Sequence, residues 1–253
     1  MNETRNLVEV CFSPLLFPTV QETNGIVVIV DILRATSSIC TAFENGATRL
    51  IPVGTIEEAR KYKEMGYLVA AERDGIVKEF ADFGNSPFNF TKERVSGKEI
   101  VYSTTNGTKT IREASKFDKV VIGSFLNLHA LYDWLVAQNR DVLILCAGWK
   151  GRFNLEDSLF AGALADMLLN TASFNTVCDS AYASQDLWDH AKDDPVGYIE
   201  KAAQKHRLRK NNLDDAIPFC FSTHFTVSIP QYLNGAISDS KKLNRKKELQ
   251  LAL

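Results

Sequence analysis

Apolar runs of four to six residues alternate along this chain with stretches whose apolar residues recur at helical spacing. That alternation is the signature of an α/β architecture with a largely parallel or mixed sheet covered by helices. Strands are expected at Leu7–Phe12, Ile26–Val30, Thr48–Pro52, Tyr67–Ala71, Glu99–Tyr102, Lys119–Ile122 and Val142–Leu145. Ala35–Asn45 reads as a helix stopped by Gly46. Thr55, with Glu58 three residues on, opens another over Ile56–Met65. Phe125–Gln138 continues the pattern, and Asn154 or Ser158 opens a helix to Leu169. After Asn170 the pattern loosens into helices at Ala181–Lys192 and Val196–Arg209 and strands at Ala216–Phe221 and Phe225–Ile229. The expected fold is a three-layer α/β/α domain over 1–253, or two closely packed lobes with the second at 171–253.

In open α/β sheets, ligands bind beyond the carboxyl ends of the strands. Those ends carry the reactive residues here. The Ile26–Val30 strand runs into Asp31 and Arg34, then Thr36-Ser37-Ser38 at a helix start, where free N–H groups favour anions. Tyr67–Ala71 runs into Glu72-Arg73. Glu99–Tyr102 runs into Ser103-Thr104-Thr105-Asn106-Gly107-Thr108, a set of donors suited to a phosphate cradle but not a Walker loop. Val142–Leu145 runs into Cys146, Gly148 and Arg152, followed by Glu156-Asp157. If the strands are parallel, these loops meet on one rim. A turn-rich segment, Asp82–Pro87 with Asn85 and Ser86, is a candidate lid.

Each cluster has a plainer alternative. Asp31 could be an ordinary helix cap, the Asn106-Gly107 pair a tight turn, and Cys146 a buried structural thiol. The Cys146-x5-Arg152 spacing suits a thiolate phosphate loop, in which sulfur attacks phosphorus. Glu156 and Asp157 point instead to a cation, because carboxylates repel a phosphate dianion unless a positive ion lies between. His129, His190, His206 and His224 are scattered and carry no expected catalytic role.

A net charge of −2 gives no footprint for nucleic acid. The locally basic 241–250 run, KKLNRKKELQ, reads as a solvated tail or helix. Five cysteines without C-x-x-C pairing suggest neither a disulfide framework nor a zinc knuckle. With no signal peptide evident in MNETRNLVEV and no apolar run long enough for a bilayer, a cytoplasmic protein with no membrane partner is expected.

Four segments in order, VDILRATSS, FGNSP, TTNGT and CAGWKGRFNLED, resemble the 2-phosphosulfolactate phosphatase family. VEVCFSP, ENGATRLIPVGTIEEA and, more weakly, 206–230 extend the resemblance over nearly the whole chain. It implies an α/β phosphoric monoester hydrolase that uses Mg²⁺ to convert 2-phospho-3-sulfolactate to 3-sulfolactate and phosphate, in some organisms a step of coenzyme M synthesis. The matched positions include Asp31, Arg34, Thr36, Glu72, Asn85, Ser86, Thr104 to Thr108, Cys146, Gly148, Arg152, Glu156 and Asp157. Asp74, Trp149-Lys150 and the 76–81 loop depart from the family pattern and bear on substrate preference.

The expected mechanism follows from charge. Phosphate monoesters resist hydrolysis until the phosphoryl oxygens are neutralised and a nucleophile is aligned. Asp31, with Glu72 or Asp157 and with Glu156 nearby, is expected to hold Mg²⁺. Arg34 and Arg152 are expected to grip phosphate, carboxylate or sulfonate oxygens. Thr36, Asn85, Ser86, the Thr104–Thr108 loop and Gly148 would supply further donors. The nucleophile stays open among water, Asp31 and Cys146. Other readings are a phosphatase for phospholactate or phosphoglycolate, or a non-catalytic binder of small acids; a homodimer is an open option.

Overall fold

The computed structural model describes residues 5–20 and 25–240, so the basic 241–250 run lies outside the described residues. The strands are β1 (Asn6–Cys11), β2 (Ile26–Val30), β3 (Arg49–Pro52), β4 (Leu68–Arg73), β5 (Ile76–Val77), β6 (Glu99–Ser103), β7 (Lys119–Gly123), β8 (Val142–Cys146), β9 (Phe174–Asn175), β10 (Pro230–Leu233) and β11 (Ala236–Asp239). They form one mixed sheet in the order β5-β4-β6-β3-β11-β10-β7-β2-β8-β1-β9. The helices are α1 (Ala35–Glu44), α2 (Ile56–Glu64), α3 (Lys92–Val95), α4 (Gly107–Glu113), α5 (Leu128–Gln138), α6 (Leu155–Leu169), α7 (Asp179–Ala191), α8 (Pro195–Tyr198), α9 (Ala203–Lys210) and α10 (Ile217–Cys220).

The seven strands expected before residue 170 all form. Both strands expected after 215 do not. Ile217–Cys220 is a short helix with Pro218 in its first turn, where a missing N–H costs nothing. Residues 224–229 run without a strand partner. The strands of that region lie further on, as a hairpin around Asn234-Gly235, both at positive φ. That hairpin enters the middle of the sheet, β10 against β7 and β11 against β3. The helix expected over Val196–Arg209 is broken into α8, a 3₁₀ turn at Ile199–Lys201, and α9.

The hairpin has a geometric consequence. β4, β6 and β3 are mutually parallel, as are β7, β2, β8, β1 and β9, but β3–β11, β11–β10 and β10–β7 are antiparallel. Three reversals set the two halves in opposite sense. Neighbouring strands also rotate by about 20–25° each. Over the five steps from β2 to β6 that accumulates to roughly 100–125°. The two directions therefore cross at an acute angle, and the carboxyl ends meet.

Packing shows the same curl. Val27 and Ile29 of β2 share one core with Ile100 and Tyr102 of β6 and with Ile39 and Phe43 of α1 and Ile111 of α4, so these helices fill the concave face. On the convex side, Val28 and Val30 pack with Leu131 of α5, Phe160 and Leu164 of α6 and Ala181 of α7. Val69 and Val101 pack with Ala59 of α2. Every residue of β2 and β8 is buried, as expected of parallel strands covered on both faces.

Candidate active site

β2 delivers Asp31 to the seam between the half-sheets, only 8% exposed. Its own N–H donates to Thr36 Oγ1 (3.1 Å), and its carboxylate accepts N–H groups of Ala35 (3.3 Å to Oδ1) and Gly107. The following hydroxyls are spent on loops: Ser37 Oγ donates to Ile32 O (2.9 Å) and Ser38 Oγ to Asn85 O (2.6 Å). Arg34, 3% exposed, donates from Nη2 to Asn85 Oδ1 at 3.1 Å. Asn85 thus aims the guanidinium.

From the opposite half, β4 ends in Glu72, which organises the loop after β6. Its Oε1 accepts Thr105 N (2.8 Å) and Oγ1 (3.1 Å), and its Oε2 accepts Gly75 N (2.6 Å). Thr104 and Thr108 bind each other: Thr104 N donates to Thr108 Oγ1 and Thr108 N to Thr104 Oγ1, both at 3.3 Å. Asn106 Oδ1 then accepts Lys150 N at 3.0 Å, tying this loop to the one after β8.

The segment after β8 folds back on itself. Trp149 N donates to Arg152 O (2.9 Å) and Arg152 N to Trp149 O (3.0 Å), with Lys150 (φ 51°) and Gly151 (φ 77°) between them. This is a type I′ turn. It stacks Trp149 under the Arg207 guanidinium of α9, 4.3 Å from the ring centre. The α6 start then returns two carboxylates. Asp157, fully buried, accepts Ile32 N on Oδ1 (2.8 Å) and Gly148 N on Oδ2 (3.1 Å), joining the loops of β2 and β8. Glu156 accepts Asn154 Nδ2 on Oε1 (3.1 Å), while its buried Oε2 has no donor among the described residues.

Burial dominates the electrostatics. It pushes the Asp31 carboxyl up to about 8, with Asp157 adding repulsion. Burial likewise lifts Glu156 to about 7, with Asp31 adding to it, and Asp157 to about 7, with Glu156 adding to it. Burial pushes the Cys146 thiol well above its usual range. A thiol so placed in the core is not a thiolate nucleophile.

Asp31, Arg34, Glu72, Thr104, Trp149 and Arg207 are among the walls of a narrow cleft of about 30 Å³, lined also by Gln204, Leu208 and Asn211. The family model described as 2-phosphosulpholactate phosphatase matches residues 11–235. The chain belongs to the 2-phosphosulfolactate phosphatase family.

This is a family of phosphoric monoester hydrolases. A Thermotoga maritima protein named probable 2-phosphosulfolactate phosphatase is 38% identical over 208 residues, covering 82% of this chain and 89% of its own. Its namesake from Clostridium acetobutylicum is 35% identical over 217 residues, covering 85% and 92%. One from Caldanaerobacter subterraneus is 33% identical over 219 residues, covering 85% and 90%.

Of the residues expected for a 2-phosphosulfolactate phosphatase site, Asp31, Arg34, Glu72, Asn85, Thr104, Thr105 and Asn106 line the cleft. Thr36, Gly107, Thr108, Gly148 and Asp157 stand behind it as hydrogen-bonding supports. Ser86 begins the 3₁₀ turn at Pro87–Asn89. Cys146 lies in the core. Arg152 and Glu156 open onto a neighbouring groove instead. Arg207 and Gln204 of α9 and its C-terminal cap Asn211 were not among the expected site residues, and the fold brings them to the cleft.

No three His, Cys, Asp or Glu side chains gather as a ligand shell among the described residues. Glu72 and Asp157 have each oxygen bonded by N–H groups. Asp31 faces the cleft with N–H groups of Ala35 and Gly107 on its carboxylate, and Glu156, which repels it, keeps the one carboxylate oxygen without a donor among the described residues. The buried, mutually repelling Asp31 and Glu156, with one acceptor lacking a donor, fit a divalent ion that takes most of its shell from phosphate oxygens and water, as Mg²⁺ does.

Proposed function

We propose that this chain is a Mg²⁺-dependent phosphatase that hydrolyses 2-phospho-3-sulfolactate to 3-sulfolactate and phosphate. The observation that carries the reading is the convergence of Asp31 with Arg34 and Arg207 in one cleft rimmed by Thr104, Thr105, Asn106 and Asn85. A substrate bearing phosphate, carboxylate and sulfonate needs more than one fixed cation, and two guanidinium groups flank this cleft.

When bound, Mg²⁺ would neutralise phosphoryl oxygens and stabilise the leaving alkoxide, and Asp31 and Glu156 would hold it. Arg34, fixed by Asn85, presents donors to the phosphoryl group in forked geometry. Thr104 and Asn106 offer donors on the cleft wall, while Thr105 spends its N–H and hydroxyl on Glu72. Asp31 itself is held to the loop by the N–H groups of Ala35 and Gly107, which suits a charge partner better than an attacking group. Water is then the nucleophile. All five cysteines are free, which fits the reducing cytoplasm proposed as its compartment.

The test is phosphate release from a panel of 2-phospho acids. The highest kcat/KM is expected for 2-phospho-3-sulfolactate, with EDTA abolishing turnover and Mg²⁺ restoring it. Asp31→Asn is expected to lower kcat by about 10²–10³-fold. Full Mg²⁺-dependent turnover by Asp31→Asn, or no release from any 2-phospho acid, would sink this reading.

A further inference from the structure

Beside the cleft lies a larger groove of about 690 Å³ that shares Trp149, Gln204 and Arg207 with it. Lys150, Arg152, Lys201 and Arg207 face it, and Glu156 is its one acidic lining residue, buried at 1% exposure. These cations are not all neutralised. Lys150 pairs with Asp74 at 2.8 Å. Arg152 and Lys201 have no carboxylate partner among the described residues; Lys201 lies over the Tyr198 ring at 3.6 Å, and Arg207 donates to Gln204 Oε1 at 2.7 Å.

The contrast with their neighbours is informative. Lys205 pairs with Glu200, and Arg209 pairs with Glu200 and Asp214. So Lys205 and Arg209, outside the groove, have acidic partners, Arg207 within it has only the attraction of Glu156, and Lys201 has no ion pair among the described residues.

The groove also lies within a small molecule's reach of the cleft. Arg152 closes the type I′ turn that Trp149 opens, so their Cα atoms are under about 7 Å apart. Lys201 precedes the cleft-lining Gln204 by three residues. Unpaired guanidinium and ammonium groups beside a phosphate site suit a strong, permanently ionised oxyacid, which gains from several donors and from uncompensated positive charge.

We propose that this groove is a second anion subsite of the active site, in which Arg152 and Lys201 bind the sulfonate of the substrate and set the preference for sulfonated over plain 2-phospho acids. The assignment rests on the substrate reading above. It gives Arg152 a role at the acid group remote from the phosphate, in place of a grip on the phosphate itself.

The test uses the full chain with Mg²⁺ and compares binding of 3-sulfolactate with binding of lactate by calorimetry, which needs no turnover. Wild-type protein is expected to hold 3-sulfolactate at least about tenfold more tightly. In Arg152→Gln/Lys201→Gln that preference is expected to fall to within about twofold, with Arg152→Lys keeping part of it. Both side chains are at the surface, so thermal melts should match wild type. Equal binding of the two acids by wild type, or a double variant that weakens both in equal proportion, would overturn the subsite. Phosphate release from 2-phospho-3-sulfolactate, measured on the same protein, judges the phosphatase reading separately: its absence would sink that reading while the binding ratio still decides the groove.

Discussion

Replacing Asp157 with asparagine is the sharpest probe of how this site is held. Asp157 touches no open wall of the cleft, yet its two oxygens hold Ile32 N at 2.8 Å and Gly148 N at 3.1 Å. One of those amides follows Asp31 directly, and the other precedes Trp149. Asparagine is nearly isosteric and leaves no cavity, but one of its terminal atoms is a donor. Either Ile32 N or Gly148 N must then face an N–H instead of an oxygen. A hydrogen bond to a charged acceptor contributes about 1.5–3 kcal/mol, and an unsatisfied buried N–H costs about 1–3 kcal/mol. Removing a charge that burial disfavours offsets part of this. A net loss of about 2 kcal/mol follows, or roughly 4–8 °C in Tm for a chain of this size. Asp157→Ala orphans both amides and should cost about twice as much. The specific readout is hydrogen exchange at Ile32 and Gly148, which should lose protection in the Asn variant while the β2 amides keep theirs; kcat/KM should fall about tenfold or more. Unchanged protection at both amides together with wild-type Tm would refute the clamp.

Three other outcomes follow from the geometry. Cys146→Ala should keep kcat/KM within about twofold and lose about 1 kcal/mol of stability for its small cavity; a loss beyond about a hundredfold would return the thiol to the chemistry. Gly148→Ala should be destabilised by more than about 2 kcal/mol and lose turnover, since Gly148 sits at φ 60° and a Cβ there would lie 2.2 Å from Arg152 O; a wild-type melting curve would contradict this. In Mg²⁺-free protein the folded-state carboxyls of Asp31 (about 8), Glu156 (about 7) and Asp157 (about 7) lie above their unfolded values near 4. A raised carboxyl contributes stability that is fully present below the unfolded value and is lost as pH rises through the folded one. Tm should therefore fall from about pH 5 to about pH 8.5, and Mg²⁺ should raise it most at the alkaline end; a flat profile with no Mg²⁺ effect would refute the carboxylate cluster.

Much of the site was legible because β2, β4, β6 and β8 are short, apolar and end abruptly in polar residues. Asp31, Arg34, Glu72 and Thr104 could be placed at strand ends without knowing the sheet order. The reversal of the two half-sheets was not legible, since it depends on a hairpin of two four-residue strands. Its Asn234-Gly235 turn was a signal in the sequence, overshadowed by more apolar runs at 216–221 and 225–229. Runs that short do not distinguish strand from buried helix by periodicity. Arg152 lies on the neighbouring groove for a local reason. The Cys146-x5-Arg152 spacing suggests a loop wrapping an anion, but positive φ at Gly148, Lys150 and Gly151 turns the segment back into a hairpin. Arg207 left no trace in the pattern, because nothing local distinguishes it from Arg209, which serves a surface ion pair.

The central hairpin also fixes when the site can come into being. β10 and β11 stand between β7 and β3, so residues 230–239 fill a gap flanked by strands made more than a hundred residues earlier. A nascent chain on the ribosome can assemble β2 with β7 and β8, and β3 with β4 and β6, before those ten residues emerge. Until then, each assembly keeps one unpaired strand edge, β7 on one and β3 on the other, and no hydrogen-bonded ladder joins them. Asp31 and Gly107 belong to different assemblies, which until then meet only through the core shared by α1 and α4. The two open edges of β7 and β3 are where misassembly would begin.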